Sequence, residues 1–408
     1  MISGALEYEG FTVVGGDEPC DALVIHTCAV TRFAQRESMR LARSAKRGGT
    51  TCVVMSGCTA SIEAVERLYD AGVDAVIGKK PGEIRSNGDA QALRLGGVVS
   101  QALAGNGLQA YLPRFSSARA SVKVQDGCSF RCAYCIVPDA RGNPQSRPFE
   151  AVMQEIEALA ARGYREVVLT GVNVACWRDG ARHLADLALA ASDVPGVSRI
   201  RLSSVEPGTT EHALVDLMAV AGSRLCHTLH YPLQSGDGEI LKRMRRHYTP
   251  QQYAEAVEYA LGKIERLGLG ADVITGFPGE DEAAFRESVK MVERYPFGNL
   301  HVFPYSERPG TPAATLDGVV PVAVRRERAR ELIAIGKKKR EDFAASFRGT
   351  DAEVLIEGVD EKGIGNGWTS EYVEARVEGL EKKDVGRLVT LRVETSTDGI
   401  VRGTSRDG

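Results

Sequence analysis

Residues 126–135 read DGCSFRCAYC and decide how the rest of the chain is understood. They place Cys128, Cys132 and Cys135 in the spacing C-x3-C-x2-C. Three thiolates this close on one loop can bind three irons of a [4Fe–4S] cluster and leave the fourth iron without a protein ligand; thiolates are the usual anchors of such clusters. An open metal position makes a centre reactive, by the logic that separates catalytic from structural zinc. Zinc is the rival reading, but structural zinc takes four ligands, commonly as two pairs. No fourth Cys or His stands near this loop.

Outward from the loop, the pattern is one of alternating strands and helices. An apolar strand, residues 120–125, runs into the cysteines. After them come helix 148–162, strands 166–170 and 198–203, helix 212–221, strand 227–231 and helix 250–267. Strand 270–274, helix 280–295 and strand 301–304 complete a domain over residues 118–347. Repeated strand–helix units with functional residues after each strand describe a βα barrel. Gly171 and Asn173 follow one strand, Ser204 and Glu206 the next, Gln234 lies in PLQSG, and Gly276 and Glu280 bound GFPGE. Polar groups and glycines at successive strand ends converge on one mouth, where they can hold a cofactor. GFPGE alone would be a turn before a helix.

Residues 1–95 alternate short apolar runs, 11–14, 22–26, 52–56 and 74–77, with a helical pattern over 31–46, which predicts a small doubly wound α/β domain. Cys28 and Cys58 each fall just past a strand end, where ligand sites of open α/β sheets collect. Cys20 and Cys52 read as core. Residues 81–117, with a weak helix at 91–104, read as a connection. Residues 349–408 show four short strands separated by Gly-rich turns such as 363–367, which predicts a small β-barrel. That segment is acidic: from Thr350 onward eight Lys/Arg stand against thirteen Asp/Glu. The run 325–342 carries eight basic residues against four acids and reads as a solvated helix face that could touch phosphates.

The chain has 408 residues, 43% hydrophobic and 26% charged, the composition of a soluble enzyme of two or three domains. It shows no apolar run long enough for a membrane span and no signal peptide. Nine cysteines, an odd number, argue for metal-bound thiols in a reducing cytoplasm over a disulfide scaffold. The net charge of −3 confines any RNA contact to local patches.

The cysteine loop resembles the signature of radical S-adenosylmethionine (SAM) enzymes. With VIHTCAV, MSGCTA, RGNPQSRP, LTGVN, HYPLQSGDGEILKRMRRHYT, DVITGFPGE and HVFPYSERPGTPAA, nearly the whole chain is similar to the radical SAM methylthiotransferases. RLSSVEP and HVFPYSERPGT look most like the MtaB type, which acts on N6-threonylcarbamoyladenosine next to the tRNA anticodon. Relatives acting on isopentenyladenosine (MiaB type) or on an aspartate of a ribosomal protein (RimO type) are the alternatives.

The resemblance implies a partial (β/α)6 barrel in the centre and a TRAM-like barrel at the C-terminus. It implies two [4Fe–4S] clusters. Cys128, Cys132 and Cys135 would hold the one that cleaves SAM to a 5′-deoxyadenosyl radical, with Tyr134 near the adenine. Cys28 and Cys58 would hold a second that carries the sulfur. One SAM methylates that sulfur; the radical from another removes hydrogen from carbon 2 of the adenine. Attack on an unactivated aromatic C–H bond is beyond an ordinary acid–base pair. The partners implied are tRNA and a flavodoxin- or ferredoxin-like electron donor, serving a cytoplasmic monomer. Lys242, Arg243, Arg245 and Arg246 are candidates for the RNA backbone, and Trp368 and Tyr372 for stacking on a base.

The family places a third cysteine of the second cluster in a Gly-Cys segment near the N-terminus, and this sequence lacks it. We expect a native start about twenty residues upstream, by the usual strand-plus-turn length; otherwise Cys20 or Cys52 would have to be the third ligand.

Overall fold

The computed structural model describes residues 2–15, 18–28, 32–78, 83–104, 115, 117–208 and 212–407. They group into two compact units. The first is Met1–Arg114 with Gly127–Pro144 and Ser306–Ala314; the second is Phe115–Asp126 with Gln145–Tyr305 and Thr315–Gly408.

The first unit is built on a sheet of Ala22–Thr27, Cys52–Gly57 and Ala75–Ile77, all parallel, edged by the antiparallel strand Ile84–Ser86. Strand Cys52–Gly57 is buried on both faces over its first five residues. That explains its unbroken apolar run, since a sheet covered on both sides has no polar face to alternate. One face meets Ala5 and Leu6 of helix Ile2–Tyr8 and Ala92, Leu95 and Val99 of helix Ala90–Ala104. The other meets Ala42 of helix Arg32–Arg47 and Leu68 of helix Val65–Asp70. The doubly wound expectation holds.

Two details differ from it. Residues 11–14 form no strand and lead on from a helix end instead. The segment from Ile84 to Ala104 is no linker: it supplies an edge strand and a core helix. Its Gly- and Ala-rich composition misled because Gly96 lets the helix close on Ile84, whose Cγ2 would lie 3.2 Å from an added Cβ.

The second unit contains six parallel barrel strands: Arg119–Lys123, Glu166–Thr170, Arg199–Leu202, Thr228–His230, Gly268–Thr275 and Phe297–Pro304. They form two three-stranded sheets, and a bridge between Ile200 and Leu225 continues the wall from one to the other. This is the partial (β/α)6 architecture. Helix Val322–Ala345 then lies along strand Phe297–Pro304, with Gly336 against Leu300.

At the C-terminus, Asp351–Val359, Ile364–Thr369, Glu374–Glu378, Leu388–Thr397 and Ile400–Ser405 close into a five-stranded barrel. The expected turn at 363–367 is largely a fifth strand. Its glycines serve close backbone approach, since a Cβ on Gly367 would sit 2.0 Å from the Leu355 carbonyl oxygen.

A buried charge cluster fastens this barrel to the parallel one. Glu166, fully buried, accepts from Arg199 (2.6 and 2.9 Å) and Arg201 (2.7 Å). Both arginines also donate to carbonyls of the C-terminal barrel, among them Trp368 and Thr369.

Candidate active site

In the first unit, Gly127 lets the cysteine loop double back. Its φ is +70°, and a Cβ would lie 2.1 Å from the Asn143 carbonyl oxygen. Cys128 N–H donates to the Gly142 carbonyl (3.1 Å) and Cys135 N–H to that of Cys132 (3.0 Å). Backbone N–H groups also point at sulfur, Phe130 at Cys128 Sγ (3.3 Å) and Val137 at Cys135 Sγ (3.4 Å). Such donors favour the thiolate form that binds iron and tune a cluster's potential. Three thiols on one preorganised loop fit a [4Fe–4S] cluster with one open iron. Tyr134 stands half-buried on the same loop.

Cys28 and Cys58 are neighbours, as their strand ends require. Thr27 pairs with Gly57 in the parallel register, so the next residues emerge side by side. Gly57, at φ +88°, comes so close that a Cβ would meet the Thr27 carbonyl oxygen at 2.4 Å. Thr59 donates through Oγ1 to the Cys28 carbonyl (3.0 Å) and through N–H to Thr27 Oγ1 (3.0 Å). Cys58 packs on Ile136 and Ala140, and Arg141 Nε donates to Cys58 Sγ (3.3 Å). Both cysteine sets thus belong to one compact unit. Arg141 was missed in the sequence because nothing local marks an arginine that reaches a cysteine eighty-three positions away.

Cys20 and Cys52 cannot complete that pair. Both stand at the starts of the strands whose ends carry Cys28 and Cys58, so about 17–20 Å of strand intervenes. Cys52 is fully buried in the apolar core, and burial, with Asp74 and Asp89 nearby, pushes its thiol up to about 11.

In the second unit, the strand-end residues form a polar rim. Gln125 Oε1 accepts from the N–H groups of Val172 (3.0 Å) and Asn173 (2.9 Å), with Gly171 tight against Gln125. Asn173 is 4% exposed, and neither its Oδ1 nor its Nδ2 has a partner among the described residues. An unpaired buried amide costs about 1–3 kcal/mol, a cost that a polar ligand would relieve. Gln234 adopts φ +60°, rare for a residue with a side chain, held there by its N–H on the Asp272 carbonyl (2.7 Å) and its own carbonyl on Ile274 N–H (2.9 Å).

Ser204 is exposed. Glu206 pairs with Arg246, yet burial still raises its carboxyl. Glu280 Oε1 accepts from Gly276 N–H (2.7 Å) and Arg328 (2.8 Å), so it shapes the GFPGE turn; burial again raises its carboxyl.

Residues 122–292 match the radical SAM superfamily and residues 1–78 the Uncharacterized protein family UPF0004. The threonylcarbamoyladenosine tRNA methylthiotransferase MtaB of Bacillus subtilis (strain 168) is 32% identical, the match covering 92% of this chain and 86% of the relative. The chain belongs to the radical SAM methylthiotransferases. The tRNA-2-methylthio-N(6)-dimethylallyladenosine synthase of Thermotoga petrophila is similar too, at 31% identity over 98% of this chain and 92% of that one. Among solved structures, the radical SAM methyltransferase TsrM of Kitasatospora setae, with cobalamin and a [4Fe–4S] cluster bound, superposes with a TM-score of 0.54. It is 18% identical, covers 77% of this chain and 73% of its own, and supports the fold.

A radical SAM methylthiotransferase works with S-adenosylmethionine and a [4Fe–4S] cluster, and the three-cysteine loop and the orphaned amide of Asn173 suit those two groups. Several RNA-contact expectations for this methylthiotransferase are overturned. The Arg246 side chain is nearly buried on Glu206. Arg243 is tied to the Pro278 carbonyl and to Asp317. Arg325 and Arg328, in the basic helix, are buried and serve the Val320 and Tyr305 carbonyls and Glu280. Trp368 and Tyr372 stack on each other at 4.5 Å, with Arg119 near both rings and Arg201 over Tyr372. Trp368 Nε1 also donates to Glu357 within the C-terminal barrel (3.1 Å), so the Trp368 ring is committed to its own barrel and to Tyr372.

The lumen of the parallel barrel contains a cavity of about 480 Å³. Ser203, His230, Asp272, Asn299, His301 and Tyr372 are among its walls.

Proposed function

We propose that the chain methylthiolates tRNA, placing the group on carbon 2 of N6-threonylcarbamoyladenosine beside the anticodon. Polar groups on the wall of the lumen support this choice of substrate. A cavity walled by two histidines, an aspartate, an asparagine and serine hydroxyls suits a substituent with a hydroxyl and a carboxylate. A dimethylallyl group is hydrocarbon and would leave those polar groups without partners. The threonylcarbamoyladenosine names among the similar relatives support the same choice.

Cys128, Cys132 and Cys135 hold the cluster that binds SAM, and Cys28 and Cys58 contribute to a second cluster. When bound, the groups supply a radical able to break an aromatic C–H bond and a methylated sulfur to replace the hydrogen. The chain's own work is to hold and orient them. In the second unit Asn173 offers its free amide to SAM, the Gln125–Gly171 and Gly276–Glu280 turns shape the rim, and Ser204, Glu206 and Gln234 are further cofactor residues; in the first, Tyr134 serves the cofactor from the cysteine loop. Residues 1–95 serve the second cluster, 118–347 the SAM chemistry, and 349–408 form the accessory barrel. Electrons come from a flavodoxin- or ferredoxin-like donor, and the enzyme acts as a cytoplasmic monomer. Among the described residues no helix is long and apolar enough to cross a membrane.

The test is mass spectrometry of tRNA nucleosides from a deletion strain and from the strain complemented with residues 1–408. Loss and restoration of 2-methylthio-N6-threonylcarbamoyladenosine is the expected result. A change confined to the dimethylallyl nucleoside, or to a ribosomal protein, would replace the substrate assignment.

A further inference from the structure

Three possible metal ligands face one another inside the second unit. His230 ends strand Thr228–His230, and Asp272 pairs with His301 across the two following strands. His230 Nε2 lies 3.1 Å and His301 Nδ1 3.3 Å from the same oxygen, Asp272 Oδ1. We infer that His230, Asp272 and His301 form a binding site for one divalent transition-metal ion, built from none of the cysteines.

The spacing is that of a coordination sphere. With metal–ligand bonds of about 2.1 Å, neighbouring donor atoms lie about 3.0 Å apart in an octahedron and about 3.4 Å apart in a tetrahedron. The two measured edges fall in that interval. All three donors lie within 4.8 Å of one another, and the half-exposed His301 ring can turn to shorten the remaining edge. The rings are tilted by 37° with centroids 5.3 Å apart, so they meet through the aspartate and not by stacking. Space is kept for the His230 ring by Gly270, where an added Cβ would lie 2.6 Å from His230 Nδ1.

The donor set also chooses the ion. Two imidazoles and a carboxylate suit Mn2+, Fe2+, Co2+ or Zn2+, whereas Ca2+ and Mg2+ prefer all-oxygen shells. Three protein ligands leave further positions open, as reactive sites do. All three residues line the 480 Å³ lumen, so those positions are offered to whatever enters it. Thr228 Oγ1 and Ser203 Oγ, also on the lumen wall, are buried without partners among the described residues. The ligand class is therefore a chelating oxygen donor. On the substrate reading above, and resting on it, the threonyl hydroxyl and carboxylate are those oxygens.

The experiment omits RNA, so it can fail without touching the nucleoside result. The full chain with its clusters reconstituted and oxidised, hence diamagnetic, is titrated with Mn2+, and free Mn2+ is read from its hyperfine EPR signal. Manganese is the probe because nitrogen and oxygen donors hold it and thiolates do so poorly. One ion bound per chain is expected, displaced by Zn2+. His301→Ala and Asp272→Asn should each weaken it about a hundredfold, with melting temperatures recorded to show that both variants fold, and Lys290→Ala, at an exposed position away from the lumen, should leave it unchanged. Undiminished free Mn2+ with the parent chain, or equal binding by a folded His301→Ala, would overturn the site and leave a hydrogen-bonded triad.

Discussion

Glu166→Gln tests how the two barrels of the second unit are joined. The Glu166 carboxylate is fully buried, and the guanidiniums of Arg199 and Arg201 that share it are each about 3% exposed. Burial works against its charge, but Arg201 and Arg199 outweigh that and hold its carboxyl below the ordinary value. Removing one partner of a buried ion pair typically costs about 3–5 kcal/mol, because the remaining charge is left without compensation. Glutamine is nearly isosteric, so the cost is electrostatic and opens no cavity. For a unit this large, about 2 °C of melting temperature is lost per kcal/mol, which gives about 6–10 °C. Arg199 and Arg201 also hold carbonyls of the C-terminal barrel, so protease should reach that barrel earlier in the variant.

The pH dependence has a definite sign. A carboxyl lowered by folding contributes stability that is complete above its unfolded value and lost as pH falls through its folded one. The parent's advantage over Glu166→Gln should therefore be constant near neutrality and shrink on acidification. Thermal melts across pH measure it. A variant melting within about 1 °C of the parent at neutral pH, or a gap that widens in acid, would refute the reasoning.

Three further outcomes follow from particular residues. Gly127→Ala should abolish iron binding by the cysteine loop while leaving Cys28 and Cys58 in place, because its Cβ meets a backbone oxygen at 2.1 Å; iron analysis reads this. Iodoacetamide at pH 8 should leave Cys52 and Cys226 unlabelled in the folded, cluster-free chain and label exposed Cys28, since burial pushes the two thiols up to about 11. Arg36→Ala with Arg43→Ala should weaken tRNA binding and reduce its salt slope by about 1.4–1.8, the effect of two lost phosphate contacts. Both arginines line a cavity of about 650 Å³ in the first unit, and neither has an ion-pair partner among the described residues.

Much of this arrangement was legible because strand ends place residues by rule. The parallel pairing of Thr27 with Gly57 makes Cys28 and Cys58 neighbours, and the cysteine spacing alone identifies the loop. What escaped was set by contacts distant in sequence. Residues 363–367 read as a turn because a glycine needed for close backbone approach looks the same as a glycine needed for a bend. The cationic runs around Arg246 and Arg325 read as exposed because buried arginines are identifiable only when Glu206 or a barrel carbonyl is seen beside them.

That misreading also relocates the RNA problem. The C-terminal segment is acidic, and Arg199, Arg201, Arg246, Arg325 and Arg328 are committed to internal partners. Helix Arg32–Arg47 carries six basic residues against one acid. Its Arg36 and Arg43 are separated by two turns and stay exposed on one face, over the groove described above. Phosphate binding needs cations that no carboxylate has already claimed. On that criterion Arg36 and Arg43 of the first unit meet the requirement, and the double variant above tests whether they hold the RNA backbone.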